Sequence, residues 1–220
     1  MTIGMILLIV VAILILLGVG QRVLDRLRLS DKLALLFIAL IVGLGFVPDI
    51  RVTQRFSFNL GGALIPLALC VYLFVRADTA WEKWRSILAS LVTGAAIFAI
   101  GRFAPDEPET MNVDPIILYG LAAGAIAYIF GRSRRCAFIA GVAGMMLSNT
   151  ANAVYVWTRG VPQDFVLGGA GAADGVVIAG LEAVLLAEIL GEIIERMKRG
   201  TRRPTREFRN GEFVKQEGGQ

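Results

Sequence analysis

Apolar runs of about 15–20 residues without a charged side chain set the first limit on what this chain can fold into, because most are long enough to cross a hydrocarbon layer as a helix. They lie at Ile3–Gly20, Leu33–Val47, Phe58–Val75, Ser86–Gly101, Ile116–Gly131 and Ala137–Trp157, with a last, less uniform run ending near Ile194. Lipid offers no hydrogen bonds, so a spanning backbone must satisfy its own, and helix is the expected secondary structure. The alternating segments of a β-barrel are not visible. The expected fold is an all-α membrane protein with about seven transmembrane helices over residues 1–198. A basic, disordered tail is expected over 199–220.

The placement of charge supports this reading more than the average does. Apolar residues make up 56% of the chain and charged ones 18%, and the charges gather between the runs. Mean hydropathy is +0.68. A soluble protein would scatter its charges along amphipathic faces. Histidine is absent, and the only cysteines, Cys70 and Cys136, sit in or beside apolar segments. That removes imidazole acid–base chemistry, most transition-metal sites and a disulfide framework; the cysteines read as small packing residues. No metal or cofactor is expected. The basic pI of 9.4 comes from short arms flanking the runs. The expected partner is therefore the anionic inner leaflet, at Arg196, Lys198, Arg199, Arg202 and Arg203, rather than nucleic acid.

No cation precedes the first run and no small-x-small cleavage site follows it, so it is expected to stay as an uncleaved span. With seven spans, one side of the membrane receives 18 Lys and Arg and the other 4, or 10 against 4 without the tail. The basic side is cytoplasmic by the positive-inside rule, which places the N-terminus outside and the C-terminus in the cytoplasm. Asp106, Glu107, Glu109 and Asp114 then form an acidic outer loop, read as a solvated surface because Pro105, Pro108 and Pro115 discourage compact coordination. Trp81, Trp84 and Trp157 fall at interfacial positions suited to amphipathic rings.

The residues with chemical potential concentrate in three places. A continuous helix from Phe165 to Glu195 would be about 45 Å long, against roughly 30 Å of hydrocarbon. The run Gly168-Gly169-Ala170-Gly171-Ala172-Ala173-Asp174-Gly175 is where it must break, giving a non-helical or re-entrant entry to the last span. Asp174 is either part of a site near the outer face or the cap of the helix that starts after it. Glu182, about 12 Å further along, is an intramembrane carboxylate. It reads as functional or as a protonated acid bonded to a neighbouring helix. Glu188, Glu192 and Glu195 read as an interfacial salt-bridge stripe, with Glu192 facing Arg196. The sixth run carries Ser148-Asn149-Thr150-Ala151-Asn152, and the third begins Phe58-Asn59-Leu60-Gly61-Gly62, with Pro66 breaking its ladder. Asn59, Asn149, Asn152, Gly169, Gly171, Asp174 and Glu182 are the candidate pocket; Asn59, Asn149, Asn152 and Asp174 fall at similar depths and Glu182 lies deeper. The alternative is interhelical hydrogen bonding with small-residue packing.

The segments Phe58-Asn59-Leu60-Gly61-Gly62-Ala63-Leu64-Ile65-Pro66 and Gly168-Gly169-Ala170-Gly171-Ala172-Ala173-Asp174-Gly175 resemble two signatures of a prokaryotic multi-pass membrane family of unknown function. The resemblance runs from about the second span to Leu190 and implies a prokaryotic cell-membrane location. The glycine-rich segment is also distantly similar to intramembrane aspartyl proteases, whose chemistry needs two carboxylates sharing a proton. Asp174 has no evident aspartate partner, because Ser148-Asn149-Thr150 stands where an acid would be needed. Two residues also separate Gly171 from Asp174, where those proteases usually have none. The expected function is a non-enzymatic polytopic membrane protein that binds or passes a small solute through a polar pocket near its outer face. A diverged aspartyl-type peptidase centred on Asp174 and a membrane scaffold or regulatory subunit are the alternatives.

Overall fold

The computed structural model describes residues 3–17, 21–103, 115–131, 133–201, 206–209 and 212–215. Among them are eight α-helices: α1 (Ile3–Leu16), α2 (Gln21–Leu27), α3 (Asp31–Gly45), α4 (Ile65–Val75), α5 (Ala80–Phe103), α6 (Pro115–Gly131), α7 (Arg134–Thr158) and α8 (Gly175–Thr201). The strands are short: β1 (Ile50–Arg51), β2 (Phe56–Phe58), β3 (Phe165–Leu167), β4 (Arg206–Arg209) and β5 (Glu212–Lys215). The chain divides into two compact units, Met1–Glu188 and Ile189–Gln220. In the second, β4 pairs antiparallel with β5, and Arg196 donates to Glu192 one turn earlier at 2.9 Å. The first unit holds the helical bundle.

By length and composition, α5 and α7 are long and apolar enough to cross a membrane; Ile6–Leu16, Leu60–Val75 and Ile117–Phe130 are shorter apolar helical stretches. Local chemistry sets the helix starts. The Ser30 hydroxyl accepts from Leu33 N at 3.3 Å ahead of α3, and that of Ser133 accepts from Cys136 N at 3.5 Å ahead of α7. A π-helical turn over Leu60–Leu64 leads into α4. Pro66, expected to break this ladder from within, falls in the first turn of α4, where its missing N–H costs little.

α7 is the central helix, buried from Arg134 through Val142 and again at Gly144, Met145 and Ser148. α5 lies along it through Ser86, Ala89, Ser90, Thr93, Gly94 and Ile97. The serine hydroxyls donate back to their own helix, Ser86 to Glu82 O at 2.9 Å and Ser90 to Ser86 O at 2.8 Å. A Cβ on Gly144 would lie 2.6 Å from Thr93 Cγ2. α6 joins the same core through an alanine cluster that includes Ala89, Ala123, Ala127, Ala140 and Ala183. Small residues at the contacts let backbones approach closely, as in helix pairs that associate in lipid.

Outward faces have the opposite character. On α5, Ile87, Leu88, Leu91 and Val92 are exposed while Ser86, Ser90 and Thr93 are buried. α1 exposes Ile6, Ile9, Val10 and Ile13, and α4 exposes Leu67, Val71 and Val75. A helix folded in water puts its apolar stripe inward and its polar face outward; α5 does the reverse, and α1 and α4 are apolar on both their buried and their exposed faces.

Where α4 passes to α5 and α7 begins, the bundle is held by charge. Arg135, 9% exposed, pairs with Asp78 at 2.7 Å and Glu82 at 3.3 Å and donates to Arg76 O at 2.7 Å. Arg28 also pairs with Asp78. The Ser133 hydroxyl donates to Glu82 at 2.7 Å, and Arg134 pairs with Glu188 of α8 at 2.8 Å. Between them, the two guanidiniums hold the Asp78 carboxyl below the usual aspartate range, mainly through the Arg135 hydrogen bond. The apolar runs end at Gly131 and resume at Ala137, which leaves Arg134 and Arg135 in the basic link between them; both instead form the buried first turn of α7, where the carboxylates compensate their charge.

The other departure from expectation is the sheet. β1 and β2 pair antiparallel, and β2 pairs parallel with β3 in the register Phe56–Phe165, Ser57–Val166, Phe58–Leu167. The third helical segment therefore starts at Leu60, with Phe58 still in a strand. Backbone in an extended segment ahead of a helix needs partners, and each of the two segments supplies them to the other. The acidic loop Asp106–Asp114, and the tail cations Arg202 and Arg203, lie outside the described residues.

Candidate functional site

Both glycine-rich signatures fold as strand, break, then helix, and the structure brings them together. Asn59 is 3% exposed and ties the junction. Its Oδ1 accepts from Gly62 N at 3.0 Å, capping the π turn. Its Nδ2 donates to Asp49 Oδ1 at 2.9 Å and Val47 O at 3.3 Å, and its backbone N donates to Leu167 O at 2.9 Å. Past β3, Gly168 (φ +73°) and Gly171 (φ +58°) adopt left-handed backbone, which an L side chain would strain. A Cβ on Gly61 would overlap the backbone of Gly45 and Ile41, and one on Gly62 would overlap the Gly168 carbonyl. The absence of side chains is what allows two broken segments and the end of α3 to meet at backbone contact. Gly169, by contrast, is exposed.

A 3-10 turn over Gly171–Ala173 ends at Asp174, and α8 starts at Gly175, so the helix breaks where length required. The Asp174 carboxylate accepts from Val176 N at 2.9 Å and from Ala170 N at 3.3 Å. It caps α8 with one oxygen and closes the glycine turn with the other. Among the described residues its hydrogen bonds come from backbone N–H groups, and the carboxylate dyad of an aspartyl protease is not assembled there. Asp174→Ala is expected to cost about 1 kcal/mol of stability and Asp174→Asn only part of that. Thermal melts of the two purified variants check the order.

Asn149 and Asn152 lie elsewhere. With Arg102, Tyr119 and Ser148 they line a cavity of about 150 Å³ between α5, α6 and α7, whose lining Ile97, Phe98 and Gly101 complete. Arg102 donates from Nη2 to Asn152 Oδ1 at 2.9 Å, and its guanidinium lies 3.7 Å from the Tyr155 ring centroid. Stacking and one side-chain hydrogen bond orient the guanidinium at the cavity wall. Among the described residues no acid lines it, and that lining favours an anionic or neutral polar guest. Among the described residues no cluster of three or more metal-ligating side chains occurs. Glu182 is half-buried on α8 and packs against Gly120 of α6, where a Cβ would overlap its carboxylate.

The seven expected residues thus separate. Asn59, Gly171 and Asp174 belong to the backbone junction, Asn149 and Asn152 to the polar cavity and Glu182 to the α6–α8 contact, while Gly169 is exposed. Arg102 and Tyr119 were missed. Arg102 is one of only four cations on the sparse side, immediately after a span, and that isolation was the available signal.

These features define a class: a helical bundle with small-residue helix contacts, two helices long and apolar enough to cross a membrane, and a glycine junction ahead of α4 and α8. Residues 23–186 match the family described as Protein of unknown function (DUF1614), and the chain belongs to that family. Neither a curated protein nor a solved structure matches it.

Proposed function

We propose that the chain is a multi-pass protein of a prokaryotic cell membrane that binds a small polar or anionic solute in the cavity between α5, α6 and α7. The observation that carries the reading is the lining: Arg102, Tyr119, Ser148, Asn149 and Asn152 gathered around one void in a bundle whose outward faces are apolar. Ser148 is buried and Asn149 half-buried there, and a guest able to bond them offsets their desolvation cost. The Lys and Arg distribution supports an N-terminus outside and a cytoplasmic C-terminus, which puts the Arg102 end of α5 at the outer face. The junction places the starts of α4 and α8 together at that same end. Broken helices of this kind line ligand sites in transporters.

The test is a thermal-shift series on the purified protein in detergent with acetate, succinate, inorganic phosphate and neutral amides. At least one is expected to raise the melting temperature by mass action. Arg102→Ala is expected to weaken that guest roughly 10- to 100-fold, the loss of a charge-assisted hydrogen bond. No shift with any of them, or an equal shift in Arg102→Ala, would contradict the proposal and favour a scaffold.

A further inference from the structure

A second void, also about 150 Å³, lies between α1, α2, α3, α4 and α8. Among the described residues its walls are apolar, with Leu8, Ile15, Leu27, Ala34, Leu73 and Leu181 among them. Water in such a crevice would find none of the polar partners it needs, and an empty one forfeits dispersion contacts along its whole lining. Hydrocarbon is the chemistry that fits. In a bilayer the hydrocarbon at hand is an acyl chain, so this inference rests on the membrane reading above, though not on the solute cavity.

Charge at one end narrows the choice further. The connector that brings Leu24, Leu27 and Leu29 into the wall carries Arg22, Arg26, Arg28 and Lys32 against Asp25 and Asp31. Lys32 is exposed, and so is Arg76, three residues beyond the wall residue Leu73; Arg28 is exposed as well but pairs with Asp78, which leaves the cations in the majority. The net positive charge there complements a phosphate with no compensating cation of its own. We infer that the crevice is a binding site for one acyl chain of an anionic phospholipid, whose headgroup meets the connector cations, with Lys32 among them.

The experiment is native mass spectrometry of the full chain released from bilayers of phosphatidylglycerol and phosphatidylcholine in equal amounts with identical acyl chains. One retained lipid per chain is expected, with phosphatidylglycerol in excess. Lys32→Gln should reduce that excess about fivefold, the effect of one cation near an anionic headgroup, and Ala34→Phe should empty the crevice. A phosphatidylglycerol with a diazirine on its acyl chain tests the wild-type protein directly, so the inference does not depend on a variant folding. Labelling is expected at crevice residues such as Leu27 and Leu73 above the outward residues Leu88 and Leu91. Equal retention of the two lipids, or labelling no higher in the crevice than on α5, overturns the site. So does a membrane-embedded protein that retains no lipid. A chain absent from the membrane fraction overturns the membrane reading itself and this site with it.

Discussion

Gly62→Ala is expected to destabilise the protein by about 3 kcal/mol or more, although it adds a single methyl group. Overpacking in an ordinary core costs about 1–3 kcal/mol because side chains can turn aside. Here the new Cβ would overlap the Gly168 carbonyl oxygen and lie 2.9 Å from Gly171 O, and every atom it meets is backbone. Neither side can yield easily. Gly62 N is bonded to Asn59 Oδ1, and the opposing segment is fixed by the β2–β3 ladder and by the positive φ of Gly168 and Gly171. The cost therefore falls at or beyond the top of the usual range for single substitutions. Gly43→Ala is the control: a Cβ there meets nothing within 4 Å, and within α3 it should be neutral or stabilising by about 0.5–1 kcal/mol. Melting temperatures of both variants in detergent decide the matter. A Gly62→Ala protein as stable as the wild type would mean that the junction is looser than described.

Arg135→Met should have the next largest effect. The guanidinium is almost fully buried and serves two carboxylates and the Arg76 carbonyl, so its removal leaves Glu82, only 16% exposed, with a desolvated charge. Breaking a buried pair costs about 3–5 kcal/mol, and partial exposure of the partners brings the expectation to about 2–3 kcal/mol. The pH dependence follows from Asp78, whose carboxyl is held below its ordinary value. A depressed carboxylate stabilises the fold at pH values above the unfolded pKa of about 3.9. That contribution is lost as the pH falls through the lower folded value. Stability curves should thus drop on the acid side in the wild type, and Asp78→Asn should flatten that limb while changing little of its shape near neutrality. An unchanged acid limb would show that the carboxyl is not carrying the pairing.

The helices were legible because the cause is local: apolar runs and the charges between them locate α1 and α3–α8, although α5 begins six residues earlier, at Ala80, and α8 runs seven residues further, to Thr201. The break before α8 was legible too, since length and glycine content demanded it, and so was the alternative that Asp174 caps the helix. The parallel pairing of β2 with β3 was not. It joins segments more than a hundred residues apart, and three-residue strands leave no alternation to read. The site was half legible for a related reason. Depth along a helix follows from rise per residue, so Asn59, Asn149, Asn152 and Asp174 were placed at one end. Rotation about the axis depends on packing, and it assigns the first and last to the junction and the other two to the cavity. Arg134 and Arg135 were read as loop because burying two guanidiniums makes sense only once Asp78, Glu82 and Glu188 are seen beside them.

The most direct measurement is the reactivity of a single cysteine at Asn149, in a chain whose Cys70 and Cys136 have been replaced by alanine, toward small membrane-impermeant thiol reagents added to intact cells. A polar cavity opening to the outer face of a membrane bundle, with Arg102 at its wall, is expected to give labelling from outside. An anionic reagent should react faster than a cationic one of similar size, and Arg102→Gln should abolish the difference. Labelling only after the cells are permeabilised, or no charge preference in the presence of Arg102, would contradict the account.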